Sequence, residues 1–139
     1  MIDIDPERLQ PALSALDIQG LVGNSTSFVT QQESGIEDAD LFIAVTGKDE
    51  INLLSCLIAK KASNCQTIAR VRNPEYSKEI TYLKQCMGMS MAINPELASA
   101  KEIAHLIQVP DAMEIDSFAK GKVDLLRVAI SQNSPLHNM

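Results

Sequence analysis

The chain is 139 residues long and 45% hydrophobic, with 18 acidic against 12 basic residues and a formal net charge of -6 at pH 7. That length supports one compact core of ordinary size with room for part of a second domain. The acidic balance works against sequence-independent binding to phosphate backbones or anionic lipid, so no nucleic-acid partner is expected. The first element in chain order is a short strand in MIDID that runs into a helix capped by Asp5, with Pro6 at its first position. That helix extends from about Pro6 to Leu16, with Leu9, Leu13 and Leu16 at helical spacing, and a strand near Gly20 to Val22 follows. GNSTSF then turns into a second helix. LFIAVT, residues 41–46, reads as a continuous apolar strand buried on both faces of a parallel sheet.

DEINLLSCLIAKKA forms the next helix with Asp49 as candidate cap, TIARV (67–71) the next strand, NPEY opens another helix, and SMAI (90–93) is a further strand. Asn94, Pro95 and Glu96 start a helix whose apolar stripe is Leu97, Ala100, Ala104 and Ile107. Strand and helix in alternation predict an α/β fold, a parallel sheet with right-handed crossovers. The tail differs: a break at Pro110, a turn at Lys120-Gly121-Lys122, and alternating Val123, Leu125, Val128 and Ile130 predict a hairpin leaving the first domain.

Chemistry is sparse. No apolar run approaches the roughly 20 residues that cross a bilayer, and the acidic first ten residues carry no signal-peptide pattern, so no direct membrane insertion is expected. Cys56, Cys65 and Cys86 form no CxxC pair, and His105 and His137 are the only histidines, so free thiols and no metal site are expected. His105, between charged helix neighbours, is expected on the solvated surface. No Ser-His-Asp arrangement, cysteine–histidine pair or paired-carboxylate site is visible, and a catalyst is not expected. The six glycines nowhere give G-x-G, so neither a dinucleotide fingerprint nor a P-loop is present.

Taken in order, IDIDPERLQ, LVGNST, GIEDADLFIAVTGKDEINLLSCLIAK, IARVRNPEY, INPE and SFAKGKV resemble the TrkA family, with AVT-x-x-DE-x-N joined to IARVR-x-PEY the most specific part. These are cytoplasmic regulators of Trk-type potassium uptake, built from the nucleotide-binding RCK-N or KTN domain. The resemblance implies a Rossmann-like parallel sheet with helices on both faces, N-terminally incomplete, since the family's first strand and glycine loop would precede Met1. Residues 1–108 would form this partial domain, and 109–139 a linker and the start of an α+β, RCK-C-like domain.

Residue by residue, the resemblance implies that Asp3 holds the adenosine ribose, for which a carboxylate can accept from two hydroxyls. The alternative is a strand-end acid that caps or faces water. Asn24 and Ser25 match the loop that contacts the adenine edge; the alternative is an ordinary turn with Ser25 capping a helix. Ala44, Val45 and Thr46 match the loop over which the nucleotide lies, while Asp49, Glu50 and Asn52 read as cap and first-turn residues that set it. Arg70 and Arg72 stand two apart on a strand and share a face, where guanidinium groups suit phosphate oxygens. Pairing with Glu75 or Glu79 is the alternative.

The family's cofactors are NAD(H) or ATP/ADP. Its domains form dimers and rings beneath a membrane potassium transporter or channel, and nucleotide binding shifts the ring to gate K+ flux. Lacking the glycine loop, the chain alone is expected to bind nucleotide weakly or not at all, and to self-associate through exposed strand edges. An assembly or dimerisation module is the second reading, and an NAD-dependent oxidoreductase domain the third.

Overall fold

A computed structural model of the chain describes residues 1–108, 112–118, 122–130 and 133–134. It divides into two compact units, Met1–Pro95 and Glu96–Met139, so the helix that starts at Pro95 goes with the second, whereas the sequence reading counts it with the first. The break at Pro110 and most of the 120–122 turn lie outside the described residues.

The first unit is built from parallel strands joined by helices. Strand β1 (Ile2–Asp3) leads into α1 (Pro6–Ala15), whose N-cap Asp5 accepts the Glu7 N–H, and then into β2 (Leu21–Val22), which pairs parallel with β1. Leu9 and Leu13 of α1 pack against the approach to β2 so closely that a Cβ on Gly20 would sit 2.8 Å from Leu13, while Leu16 stays exposed. Helix α2 (Phe28–Glu33) is capped by Ser27, not Ser25. A 3-10 turn (Ile36–Asp38) then delivers the chain to β3 (Leu41–Ala44).

Strands β3, β4 (Gln66–Arg70) and β5 (Met91–Ile93) form one parallel sheet in that order, linked by α3 (Asp49–Ala62), α4 (Pro74–Lys78) and α5 (Ile80–Met87). Asn73 caps α4, and Gly88 ends α5 in the left-handed region at φ 66°, where a side chain would be strained. The core lies on one face of this sheet. Ala44, Ala69 and Val71 meet Leu53 and Cys56 of α3 and Met89, with Ile80 and Leu83 of α5 at the rim. A second cluster, Ile36, Ala59 and Cys65, closes the far end of α3. Burying a side chain such as Leu53 contributes about 1.5–3 kcal/mol.

The expected burial of LFIAVT on both faces does not hold. Phe42 and Ala44 face α3, but Leu41, Ile43, Val45 and also Met91 are each about half exposed, because the helices packed on β3–β4–β5 in this unit cover only one face. Strand edges are exposed too. Asp40 C=O accepts the Gln66 N–H, which in a parallel ladder sends the backbone groups of Leu41 and Ile43 to the opposite edge. Likewise Met1 and Asp3 accept from Leu21 and Gly23, which leaves Ile2 pointing away from β2. Among the described residues neither outer edge has a strand beside it, and neither carries the lysine, proline or bulge that usually blunts one.

The second unit contains α6 (Pro95–Gln108) and an antiparallel ribbon of β6 (Ala112–Phe118) and β7 (Val123–Val128). The ribbon is the hairpin expected from the alternating tail. Helix α6 buries no residue, so its expected stripe of Leu97, Ala100, Ala104 and Ile107 stands exposed. His105 departs from expectation: it is half-buried, with Nδ1 shielded from solvent.

Candidate functional site

Every sequence-predicted site residue falls at or just beyond the C-terminal end of a strand, the side on which parallel α/β sheets bind ligands. The start of α3 organises the largest group of them. Asn52 is fully buried, and its amide is used completely: Oδ1 accepts the Thr46 N–H at 2.7 Å, and Nδ2 donates to Thr46 C=O at 3.3 Å and to Arg70 C=O at 2.9 Å. The loop after β3 is thereby tied to the end of β4. Ala44 is buried in the core, Val45 is exposed above it, and the Thr46 hydroxyl donates to Lys48 C=O.

Asp49 lies in the first turn of α3 and is only 7% exposed. It is not the helix cap as expected; Lys48 occupies that position, and the Asp49 carboxylate reaches across to β4 instead. One oxygen accepts the backbone N–H groups of Arg72 at 2.8 Å and Asn73 at 2.7 Å, donors that the end of the β4 ladder leaves without a strand partner. The Arg72 guanidinium donates to Gly47 C=O and stands 3.9 Å from the other Asp49 oxygen. Arg72 therefore has a local carboxylate, but it is Asp49 rather than Glu75 or Glu79. Arg70 sits half-buried at the end of β4.

Glu50 accepts a hydrogen bond from the Tyr76 hydroxyl at 3.0 Å, and that bond, with the carboxylate charge behind it, raises the phenol's pKa. Gly47, Lys48, Asp49, Glu50, Arg72 and Asn73 line an open depression of about 390 Å³. Its walls combine two cations, two carboxylates and the positive end of α3, so polar ligands of mixed charge fit it better than apolar ones.

The β1–β2 pair carries the remaining candidates. Asp3, half-buried, accepts the Asp5 N–H at 2.9 Å and so shapes the turn into α1. Asn24 accepts from both the backbone and the hydroxyl of Thr26. Ser25 shares a 3.0 Å hydroxyl contact with Ser55 of α3, and fully buried Gln31 donates to the carbonyls of Ser25 and Ser55. This polar joint docks α2 on α3. It went unseen in sequence because a glutamine at a helical core position looks like any surface glutamine. Gly23 is needed here, since a Cβ would approach Thr30 to 2.6 Å. Structure thus joins Thr46, Arg70 and Arg72 into one network through Asn52 and Asp49, while the Asp3 and Asn24 side chains accept hydrogen bonds within their own turns.

Parallel β/α units with their polar residues gathered at the strand ends define a Rossmann-like α/β domain. Residues 1–95 match the TrkA-N domain, and the chain belongs to that family. A Trk system potassium uptake protein TrkA homolog from Archaeoglobus fulgidus is 38% identical over 134 residues, which is 96% of this chain and 30% of that protein. The chain spans about a third of the length of the curated relatives it matches. Among solved structures, the TrkA-N domain of the inner membrane protein ybaL from Escherichia coli superposes with a TM-score of 0.64 at 18% identity, covering 76% of each chain. The GsuK structure bound to ADP superposes with a TM-score of 0.56 at 16% identity, over 67% of this chain and 23% of that one. Both likenesses establish the fold.

Proposed function

We propose that this chain is the sensing domain of a cytoplasmic regulatory subunit, peripheral to the membrane, that gates potassium uptake by a transporter or channel in response to NAD(H) or ATP/ADP. The observation that carries the reading is the 38% identity to a Trk potassium uptake protein across 96% of the chain. The site residues are Asp3, Asn24, Ser25, Ala44, Val45, Thr46, Arg70 and Arg72. Asp3 would take ribose hydroxyls, the loop from Ala44 to Thr46 would lie under the nucleotide, and the two arginines would meet phosphate. For Arg72 that requires exchanging Gly47 C=O and Asp49 for phosphate oxygens, and a partly exposed pair at 3.9 Å is weak enough to permit it. Domains would pair as homodimers within a ring, and two ligands that bind two ring shapes with different affinity would shift the balance between them.

A second reading, an assembly module that has lost nucleotide sensing, is favoured by the unpaired edges of β1 and β3 and the exposed stripe of α6. Small-angle scattering with and without NADH and ATP, on the chain extended by a family-type strand and glycine loop before Met1, separates the two. A ligand-dependent change in the dimer's dimensions supports sensing. A dimer of fixed dimensions at millimolar nucleotide overturns it in favour of assembly.

A further inference from the structure

We propose that Asn52, with Asp49 one turn before it, is a positioning residue that makes the Thr46 loop and the end of β4 behave as one body. A ligand resting on the loop would then be felt at Arg70, Arg72 and Asn73. The nature of the ligand rests on the nucleotide reading above; the coupling rests on geometry alone. The last register pair of the β3–β4 ladder is Ala44 with Ala69, and beyond it the strands no longer bond each other directly. Asn52 bridges the gap, holding both backbone groups of Thr46 and the carbonyl of Arg70. Asp49 continues the bridge to the Arg72 and Asn73 N–H groups.

Both side chains spring from the start of one helix and are themselves buried, so a displacement of the loop must move the β4 end or break the hydrogen bonds they make. Full burial excludes Asn52 as a direct ligand contact. By linkage, a ligand that favours one loop position and a phosphate that favours one arginine position strengthen each other equally.

Amide NMR tests this, with wild type, Asn52→Asp and Ile36→Val compared; the NADH titrations use each chain extended by a family-type strand and glycine loop before Met1, and the ligand-free titrations use the 139-residue chain itself. Ionised, the new aspartate still accepts the Thr46 N–H but turns a charge on two carbonyls; protonated, it regains a donor. In wild type, NADH titration is expected to move the amides of Thr46, Arg72 and Asn73 with one shared dissociation constant. In Asn52→Asp that constant is expected to rise at least tenfold at pH 8, about 1.4 kcal/mol, and to recover as the pH falls. Ile36→Val, in the cluster at the far end of α3, should leave it within twofold.

Without any nucleotide, protonation of the new aspartate should shift the Thr46, Arg72 and Asn73 amides along a single titration curve. Arg72 and Asn73 amides that ignore this titration overturn the coupling, as does an Ile36→Val loss as large as that of Asn52→Asp. Absence of NADH-induced shifts in the extended wild type sinks the nucleotide reading instead and leaves the ligand-free titration to decide the coupling.

Discussion

Asp49→Ala removes the acceptor for two backbone donors at once. Hydrogen bonds to a charged group contribute about 1.5 kcal/mol or more each, and a buried N–H left unmatched pays its desolvation in full. With both bonds short and the carboxylate 7% exposed, the loss comes to about 3 kcal/mol. The ion pair adds less than about 1 kcal/mol, because Arg72 is 41% exposed and 3.9 Å away. Urea unfolding followed by circular dichroism is the assay. With a slope of about 1.5 kcal/mol per molar, the midpoint should fall by about 2 M. Asn at this position keeps an acceptor without the charge and should cost about 1 kcal/mol, so a measurable transition survives even where Ala does not fold. An Asp49→Ala midpoint within 0.3 M of wild type, on the order of 0.5 kcal/mol, would refute the assignment of the carboxylate as the anchor of the β4–α4 turn.

Placing a charge on the outer edge of β3, as in Ile43→Lys, should reduce self-association, read as a fall in sedimentation coefficient, since paired edges exclude buried lysine. Desolvation pushes the Cys56 thiol up to about 12, against a lowering from its backbone hydrogen bond, so about 1 in 10,000 molecules carries the thiolate at pH 8. Iodoacetamide on the folded chain should therefore label exposed Cys86 first, and mass spectrometry finding Cys56 labelled equally fast would contradict its burial. Glu50→Gln should lower the Tyr76 pKa, because the anion that disfavours phenolate is gone; ultraviolet absorbance titration reads the shift, and an unchanged titration would contradict the 3.0 Å bond.

Much of this fold could be read in the residues. Asp5-Pro6 and Asn73-Pro74 announce helix starts through cap chemistry that is local, and the structure keeps both. The alternating tail yields a real hairpin for the same reason. Asp49 misled because a carboxylate before an apolar helix has two uses, its own helix end or a neighbour's free N–H groups, and only the tertiary fold supplies Arg72 and Asn73. LFIAVT misled because a continuous apolar run states what could be buried, not which face a helix reaches. Arg70 and Arg72, two apart in an apolar run, could be placed together at a strand end, and the structure has Arg70 as the last residue of β4 with Arg72 just beyond it. The Gln31–Ser25–Ser55 joint and the full use of the Asn52 amide depend on contacts 18 to 30 residues apart in sequence, for which no local pattern exists.

Calorimetric titration with NADH and with ATP, on this chain and on the same chain carrying a family-type strand and glycine loop before Met1, bears most directly on a nucleotide-sensing role. Binding by the extended chain, with weak or no heat from the 139-residue chain, is the predicted result, and Arg70→Gln in the extended chain should weaken it. No binding by the extended chain would contradict nucleotide sensing and leave assembly as the role of this domain.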